Sequence, residues 1–300
     1  MLKEEINIDP ERVTEKIITF IRDNINSFKR DGAIIGISGG LDSACVVALL
    51  SRALEKEKIL GLIMPERDSD DKTKDDAELI ANTFGIPTKS IDLTSILESF
   101  GTYELFPGGL LLSKKTVSRV VRAGYRLLPR GNNPFQGGLL GAKKEWMRYT
   151  QAYYRIKHRT RMVHLYYYAE QLNYLVVGTS NKSEDMVGFF VKYGDGAADI
   201  MPIANLYKSQ VRQLSEWLGV PECIIKKPPS PDLLPGITDE LALKISYEKL
   251  DLVLLGLKKG IEETEIAREA GINMKTVRYV KNLISLSEHM RKPPKICQTR

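Results

Sequence analysis

The stretch that decides the fold is AIIGISGGLDS, residues 33–43. Its first five residues form a short apolar run, which predicts a buried β-strand. Ser38, Gly39 and Gly40 predict a tight turn, and a helix is expected to begin at Leu41. Two glycines let the backbone approach a ligand and point its N–H groups inward, where the positive end of the helix adds attraction for an anion. The stretch therefore predicts a phosphate-binding loop between a strand and a helix.

The chain around this stretch alternates apolar strands with amphipathic helices. Further strands are predicted at residues 59–64, 90–93 and 174–178, and helices at 11–28, 41–54 and 72–84. Because these strands are apolar throughout, we expect a parallel sheet with helices on both faces, an α/β Rossmann-like fold. Ligands of such sheets bind beyond the carboxyl ends of the strands.

The polar residues of the loop have two interpretations. Ser38 and Ser43 can donate hydroxyl hydrogen bonds to a phosphate, and Asp42 beside phosphates makes sense chiefly if it holds Mg²⁺. The alternative is a capped helix after a tight turn, with Asp42 or Ser43 as the cap. The sequence is neither a Walker A loop nor a dinucleotide GxGxxG motif. We favour phosphate binding because the whole hexapeptide lies between a predicted strand and a predicted helix.

Composition and length exclude several classes of protein. The chain has 300 residues, of which 43% are apolar and 27% charged, as in a globular protein and unlike a disordered one. No window approaches the roughly 18 consecutive apolar residues of a membrane helix, and the N-terminus is too polar for a signal peptide. Cys45, Cys223 and Cys297 are too far apart for a zinc or disulfide pattern. We therefore expect a cytoplasmic protein that does not bind membranes.

Positive charge is concentrated in residues 101–157. This segment holds eleven lysines and arginines against two acids, Glu104 and Glu145, a local charge of +9 in a chain of net charge +6. Its glycine-rich turns break the alternation of strands and helices, so we interpret residues 101–154 as an insertion in a sheet domain, with a short helix within 116–128. The charge indicates an anionic partner, namely a nucleotide, an acidic protein or nucleic acid. A solvated insertion is the alternative.

A second polar cluster follows the fourth predicted strand. Residues 179–184 form a loop at the carboxyl end of that strand, and Lys192, Asp195 and Asp199 lie among glycines just beyond it. Charge pairs on a surface loop are one explanation. The other is a ligand site, because polar groups at the strand ends of a parallel sheet lie where a site is expected.

Six motifs in order carry a resemblance to a known family. They are SGGLDS (38–43), RTRM (159–162), GTSNKSE (178–184), GFFVKYGDGAADIMPIANLYKSQVR (188–212), KKPPSPDLLPGITDE (226–240) and SEHMRKPP (287–294). With them the chain resembles the ammonia-dependent NAD synthetases, N-type ATP pyrophosphatases, over residues 11–100 and 157–294. The resemblance implies a single adenine nucleotide alpha hydrolase-like domain, residues 1–300. It also implies an enzyme that activates deamido-NAD (nicotinic acid adenine dinucleotide) with ATP through an acyl-adenylate, and forms NAD with ammonia while releasing AMP and pyrophosphate.

The resemblance also implies which residues form the site. ATP would contact the end of the first strand, its loop and three later residues, namely Gly36, Ile37, Ser38, Gly39, Gly40, Leu41, Asp42, Ser43, Thr179, Lys208 and Ser230. Asp42 and Glu184 would hold Mg²⁺, and Asp42 and Lys208 are the expected catalytic residues. Lys208 lies on an amphipathic helix predicted at 206–218, where a helix surface charge is its alternative role. Deamido-NAD would contact Arg159, Lys192, Asp199, His289 and Met290.

The expected partners follow from the same resemblance. We expect a homodimer that uses ATP, deamido-NAD and ammonia. No glutaminase domain is visible, so free ammonia or a separate ammonia-supplying subunit would provide the nitrogen. Residues 262–284, which include Lys275, Arg278 and Lys281, look like a DNA-binding helix-turn-helix when read alone. We favour two packing helices and expect no nucleic-acid partner.

The chain departs from the family pattern at three places, all on the side of the acid substrate. The insertion replaces a much shorter connection. Arg155 and His158 stand where the family usually has Asn and Ala, and Met290 replaces the Lys of a His-Lys pair that contacts the dinucleotide. Loss of that ammonium group is expected to weaken binding by about 1 kcal/mol or more. These departures leave open a related amide ligase that acts on a different carboxylate.

Overall fold

The computed structural model describes residues 1–105, 119, 122–125, 134–230 and 236–298. At its centre are four parallel strands, namely β1 (Gly32–Gly36), β2 (Ile59–Ile63), β3 (Thr88–Ser90) and β4 (Tyr174–Val177). Their order across the sheet is β3-β2-β1-β4. In the centre of β1, Ile34 pairs with Leu60 on one side and with Val176 on the other. The parallel α/β fold that the sequence predicts is therefore confirmed.

Helices pack against both faces of the sheet, over two separate apolar cores. Along β1, Ala33 and Ile35 belong to one core and Ile34 to the other, all completely buried, because successive side chains of a strand alternate between its faces. The first core is shared with the helix Leu41–Ala53 and the second with the helix Glu145–Leu172. The strands consequently lie between two layers of helices.

Helices make up most of the described chain. The predicted helices at 11–28, 41–54, 72–84 and 206–218 are confirmed to within two residues at each end. Two of them begin at an aspartate cap: the side chain of Asp9 accepts a hydrogen bond from the N–H of Arg12, and that of Asp70 from the N–H of Lys72. The helices are Leu2–Glu5, Pro10–Ser27, Leu41–Ala53, Asp71–Phe84, Thr94–Ser99, Pro134–Leu139, Glu145–Leu172, Lys182–Val187, Lys208–Leu218, Glu222–Ile225, Asp239–Leu243, Tyr247–Lys258, Glu263–Ala270, Met274–Leu286 and Glu288–Arg291, with 3₁₀ turns at Lys56–Lys58 and Thr102–Leu105.

The third strand lies earlier than predicted. The prediction was residues 90–93, whereas β3 is the exposed edge strand Thr88–Ser90. The N–H of Leu93 still donates to the carbonyl of Pro65, but Leu93 is completely buried just ahead of the helix Thr94–Ser99. The predicted position was wrong because the apolar residues that suggested a strand follow it: Leu93 is buried in the core as the N-cap of the next helix, and Ile91 is partly buried against the same core.

The C-terminal helices enclose a third apolar core. The pair predicted at 262–284 is two helices, Glu263–Ala270 and Met274–Leu286, which pack with the helix Tyr247–Lys258. Arg278 and Lys281 both pair with one acid on the first helix of the pair, at 3.0 and 2.9 Å. The packing interpretation is therefore confirmed, and these two cations are already partnered within the fold.

The segment interpreted as an insertion is described in part. The helix Pro134–Leu139 lies within it, and the helix Glu145–Leu172, of 28 residues, begins within it and runs on to β4. The predicted helix at 116–128 falls largely outside the described residues. Within that range the structure describes 119 and 122–125, which are helical. The boundary chosen at residue 154 therefore lies inside one continuous helix. In the described part of the chain, no helix has the length and apolar character needed to cross a membrane.

Candidate active site

A cleft opens where strands β1, β2 and β4 end. Its volume is about 420 Å³, and its lining includes Gly36 of β1, Ile63 of β2 and Val177 of β4. Ligands of parallel α/β sheets bind at this position. The cleft brings together many of the predicted site residues, namely Gly36, Ile37, Ser38, Gly40, Leu41, Asp42, Thr179, Glu184, Lys208, Ser230 and Met290.

The loop after β1 is shaped by glycine and serine. Gly39 has a φ of +67°, which glycine adopts without strain, and a Cβ there would lie 2.7 Å from the carbonyl oxygen of Thr73. Gly40 is the N-cap of the following helix, and none of the described side chains caps that end. The Ser43 hydroxyl instead accepts from the N–H of Ser38 at 3.3 Å and donates to the carbonyl of Gly40 at 3.0 Å. The capping alternative is therefore wrong, and the positive end of the helix is left for an anion in the cleft.

Two residues of the predicted phosphate-binding loop do not line the cleft. Ser43 is buried, and neither Gly39 nor Ser43 is among the described residues that line the cleft. Their contacts set the shape of the loop, while Ser38 and Gly40 form its lining. Ser230 lines the same cleft from a distant part of the chain, and its hydroxyl donates to the carbonyl of Ile237 at 3.0 Å.

A charged centre of Asp42, Glu184 and Lys208 lies beside the loop. The ammonium of Lys208 is 2.5 Å from Oδ2 of Asp42 and 2.9 Å from Oε1 of Glu184. Only 5% of the Lys208 side chain is exposed, so the surface-charge alternative for this residue is wrong. Asn181 caps the helix that carries Glu184 and donates to Oδ1 of Asp42 at 3.0 Å. The centre thus joins the first turn of the helix Leu41–Ala53, the helix after β4 and the helix Lys208–Leu218.

A second layer of polar groups supports this centre. The Tyr247 hydroxyl lies 3.0 Å from Oε1 of Glu184 and 3.0 Å from Oδ2 of Asp239. Burial raises the pKa of Glu184 to about 7 and the pKa of Asp239 to about 6, with the ammonium of Lys208 opposing both shifts. Burial would lower the pKa of Lys208, but the carboxylates of Asp42 and Glu184 raise it above its ordinary value. Lys208 therefore stays protonated, and the surrounding acids make the centre attractive to a further cation.

Asp42 and Glu184 offer donors that suit Mg²⁺. Magnesium is usually bound by one or two carboxylates together with phosphate oxygens of a substrate. Both carboxylates reach the same ammonium of Lys208, so their oxygens already converge. Within the residues that the structure describes, no group of three or more His, Cys, Asp or Glu is arranged to hold a metal ion. The two carboxylates therefore offer part of a donor set that suits magnesium, which phosphate oxygens of a ligand can complete.

The predicted acid-substrate residues fall in two places. Met290 is buried and lines the cleft. Arg159 donates to the carbonyl of Lys192 at 3.4 Å, and Nζ of Lys192 donates to the carbonyl of His289 at 3.2 Å, so these three form a linked set. Asp199 accepts from a backbone N–H of β4 at 2.8 Å. The linked set and Asp199 are not among the described residues of the cleft lining, although His289 adjoins Met290 in the chain.

Arg155 and His158, which depart from the family pattern, both line the cleft. Nδ1 of His158 lies 3.7 Å from Oδ1 of Asp195, and burial lowers the pKa of His158 while the Asp195 carboxylate opposes that shift. Lys157, between them, is completely buried and pairs with Glu66 at 3.0 Å instead. Arg155 and His158 of the long helix therefore line the cleft, whereas Lys157 does not.

Lys227 is a cleft residue that sequence reasoning missed. Its Nζ donates to the carbonyl of Gly39 at 3.2 Å and pairs with Oδ2 of Asp76 at 2.6 Å, and the residue lines the cleft. Its neighbour Lys226 pairs with Glu222 on the surface. Nothing in the local sequence distinguishes the two adjacent lysines, because only the folded chain brings one of them to the loop.

The fold and the cleft define a Rossmann-like α/β protein with a glycine loop between a strand and a helix at its cleft. Comparison with known families makes the assignment specific. The model of the family described as NAD synthase matches residues 13–123 and 143–294. The chain belongs to this NAD synthase family.

Individual relatives agree with that assignment. The NH(3)-dependent NAD(+) synthetase of Thermotoga neapolitana is 43% identical over 285 residues, which are 94% of this chain and 96% of that protein. Among solved structures, the NH3-dependent NAD synthetase from Campylobacter jejuni has a TM-score of 0.68 at 27% identity, covering 97% of this chain and 100% of that one. The NMN synthetase from Francisella tularensis has a TM-score of 0.71 at 26% identity, covering 97% and 99%. The resemblance found in the six motifs is therefore confirmed.

Proposed function

We propose that the chain catalyses the ATP-dependent amidation of deamido-NAD to NAD with ammonia, releasing AMP and pyrophosphate. Relatives of 43% identity over more than nine-tenths of the chain carry the name NH(3)-dependent NAD(+) synthetase. The structural observation that carries the proposal is the buried Lys208, held between Asp42 and Glu184 next to the glycine loop. Such a centre suits a reaction in which charge develops on phosphate groups.

ATP binds with its triphosphate at the loop after β1. Ser38 and Gly40 line the cleft there, and the positive end of the helix that begins at Leu41 attracts phosphate oxygens. Lys208 lies beside them, and Thr179 and Ser230 bring hydroxyl groups to the same cleft from two other segments. These residues are the ATP contacts that we infer.

We propose that Mg²⁺ binds to carboxylate oxygens of Asp42 and Glu184, beside the ammonium of Lys208. The donor set supports this choice, because both groups offer carboxylate oxygens and both already converge on one ammonium. When bound, the metal supplies positive charge that stabilises the leaving pyrophosphate. Tyr247 and Asn181 hold the two carboxylates in position by hydrogen bonds of 3.0 Å each.

The reaction consists of two displacements. A carboxylate oxygen of deamido-NAD attacks the α-phosphorus of ATP, the bond from that phosphorus to the bridging oxygen breaks, and pyrophosphate leaves with the electron pair. Lys208 and the loop N–H groups face the charge that develops on the phosphates. Ammonia then attacks the acyl carbon, the bond from that carbon to the AMP oxygen breaks, AMP leaves, and one proton of the former ammonia passes to solvent.

We place the rest of deamido-NAD along Arg159, Lys192, Asp199, His289 and Met290. Met290 lines the cleft, and the hydrogen bonds from Arg159 to Lys192 and from Lys192 to His289 connect the exposed residues to it. Arg159 and Lys192 carry the positive charge that suits the diphosphate bridge of a dinucleotide. The surface leading out of the cleft is therefore the proposed dinucleotide site.

We infer that the chain works as a homodimer. The helix Glu145–Leu172 exposes large apolar side chains, about half of each being accessible, at Trp146, Tyr149, Val163 and Tyr167. Apolar side chains gathered on one helix suit a contact with another protein surface better than contact with water. A particle of twice 33.8 kDa in light scattering is the expected result, and a stable particle of one chain would contradict it.

Three further expectations belong to the same proposal. Residues 1–300 form one domain with an insertion at 101–154, which is supported by the gap in the family match at residues 124–142. Ammonia comes from solution or from a separate subunit. The enzyme works in the cytoplasm, where ATP and dinucleotides are available.

A different carboxylate substrate is not favoured. Arg155, His158 and Met290 all line the cleft, so the chain's departures do lie close to the expected reaction centre. However, NH(3)-dependent NAD(+) synthetases align with this chain over almost its whole length, at 43% identity in Thermotoga neapolitana.

The direct test measures products with each substrate omitted in turn. The protein is incubated with ATP, MgCl₂, ammonium chloride and deamido-NAD, and NAD and AMP are separated by chromatography. We expect equal amounts of NAD and AMP, and neither product without the acid. Nicotinic acid mononucleotide is tested in parallel as the alternative acid. A higher turnover with that acid than with deamido-NAD would overturn the proposed substrate. Formation of AMP with no amide product from either acid would overturn the proposed reaction.

A further inference from the structure

Lys227 occupies a position between the phosphate loop and the helix Asp71–Phe84. Its Nζ donates to the carbonyl of Gly39 at 3.2 Å and to Oδ2 of Asp76 at 2.6 Å. An ammonium group has three N–H donors. Among the residues that the structure describes, two partners are present, so one donor remains for a ligand. The side chain is 32% exposed and belongs to the cleft lining.

The charge of Lys227 serves a different purpose from that of Lys208. Lys208 is 5% exposed and holds the carboxylates of Asp42 and Glu184 together, next to the end of the loop. Lys227 is more exposed and contacts the carbonyl of Gly39, in the middle of the loop. A phosphate that accepts hydrogen bonds from the loop therefore lies within reach of the free N–H of Lys227.

We propose that Lys227 is a catalytic residue that donates a hydrogen bond to the leaving pyrophosphate, and that Asp76 holds it at the loop before the nucleotide binds. This inference rests on the proposed function for the identity of the leaving group. Pyrophosphate gains negative charge as the bond to the α-phosphorus breaks, and a positioned ammonium stabilises that charge more in the transition state than in the bound substrate. The loss of Lys227 should therefore lower kcat more than it raises the KM for ATP.

Lys227→Met and Lys226→Met form a matched pair of variants. Both remove one positive charge from adjacent positions, but Lys226 is 71% exposed and pairs with Glu222 on the surface. Removal of one such donor typically lowers kcat by about 10²-fold, and we expect that loss for Lys227→Met. Lys226→Met should stay within about twofold of the wild type, because exposed ion pairs contribute little. Lys227→Arg, which keeps the charge, should recover most of the affinity for pyrophosphate.

Titration calorimetry with magnesium pyrophosphate tests the contact without the acid substrate. Lys227→Met should weaken binding at least about tenfold, the equivalent of one charge-assisted hydrogen bond. Asp76→Asn should tighten binding, because it releases the ammonium from its ion pair. If the pair only holds the fold together, both variants should weaken binding to the same extent, and that result would overturn the proposal. A variant that fails to fold in circular dichroism is replaced by Lys227→Gln, for which the same loss is expected.

The two possible failures are separate in this design. If the wild type makes NAD, and Lys227→Met binds pyrophosphate as tightly as the wild type, the role of Lys227 is refuted and the proposed function stands. If the wild type forms no NAD, but Lys227→Met binds pyrophosphate more weakly than the wild type, the contact stands and the proposed reaction is refuted. A wild type that binds no pyrophosphate refutes the contact.

Discussion

Replacement of Lys157 by methionine should cost more stability than any single surface change. Lys157 is completely buried, with its ammonium 3.0 Å from Oε1 of Glu66 and 2.8 Å from Oδ2 of Asp68. The Glu66 side chain is also completely buried, and 15% of the Asp68 side chain is exposed. Methionine has a similar length and volume, so the variant removes the charge and leaves the packing nearly unchanged.

The expected cost follows from what each carboxylate retains. Removing one partner of a buried ion pair costs about 3–5 kcal/mol, because the other charge stays buried. Glu66 keeps two donors, the Tyr103 hydroxyl at 2.9 Å and the N–H of Asp68 at 3.1 Å. Because of these contacts, we expect Lys157→Met to lower the free energy of unfolding by about 3 kcal/mol, the lower end of that range. Lys58→Met is the control, because Lys58 and its partner Glu55 are 53% and 73% exposed.

Urea unfolding followed by circular dichroism measures both variants. We expect a lower midpoint for Lys157→Met with an unchanged dependence on urea, and a midpoint close to the wild type for Lys58→Met. Glu66→Gln in the Lys157→Met background should regain part of the lost stability, because it removes one of the two carboxylate charges that have lost the ammonium of Lys157. A Lys157→Met variant within about 0.5 kcal/mol of the wild type would refute the reasoning, because surface changes alone fall in that range.

Three further changes act on the cleft itself. Asp42→Asn should lower AMP release at least about 10²-fold while the thermal unfolding curve is retained, because it removes a carboxylate ligand of the Mg²⁺ that would stabilise the charge developing on the phosphates; normal turnover would contradict its role. Because burial raises the pKa of Glu184 to about 7, protonation increases as the pH falls from 8 to 6, so the Mg²⁺ concentration for half-maximal rate should rise. A flat profile would oppose that assignment. Gly39→Ala should reduce kcat/KM for ATP more than tenfold, because its Cβ would lie 2.7 Å from the carbonyl oxygen of Thr73. Gly260→Ala, which has a φ of +72° but no described atom within 4 Å of the added Cβ, should leave ATP kinetics unchanged.

Local sequence signals were enough for the centre of the fold. Residues 33–43 combine a buried run, a glycine turn and a helix start, and the structure places β1, the loop and the helix Leu41–Ala53 there. Strand β3 was placed too late because the apolar Ile91 and Leu93 imply burial without saying which layer buries them. Hydrophobicity alone cannot distinguish a short edge strand from the segment that follows it.

Contacts between distant segments account for what the sequence left out. The motifs contain Asp42, Glu184 and Lys208, and the structure brings the three together. Tyr247 and Lys227 went unnoticed because each acquires its role only from a partner far along the chain, Glu184 in one case and Gly39 in the other. Periodicity and local motifs carry no information about such pairs.

Oxygen isotope transfer tests most directly whether ATP is split to activate a carboxylate. Deamido-NAD labelled with ¹⁸O in its carboxylate is incubated with the protein, ATP, Mg²⁺ and ammonia, and the phosphates are examined by mass spectrometry. We expect one ¹⁸O atom in each AMP and none in pyrophosphate, because the acyl-adenylate is cleaved on its carbon side. Label in inorganic phosphate, or ADP in place of AMP, would contradict cleavage between the α- and β-phosphates at this cleft.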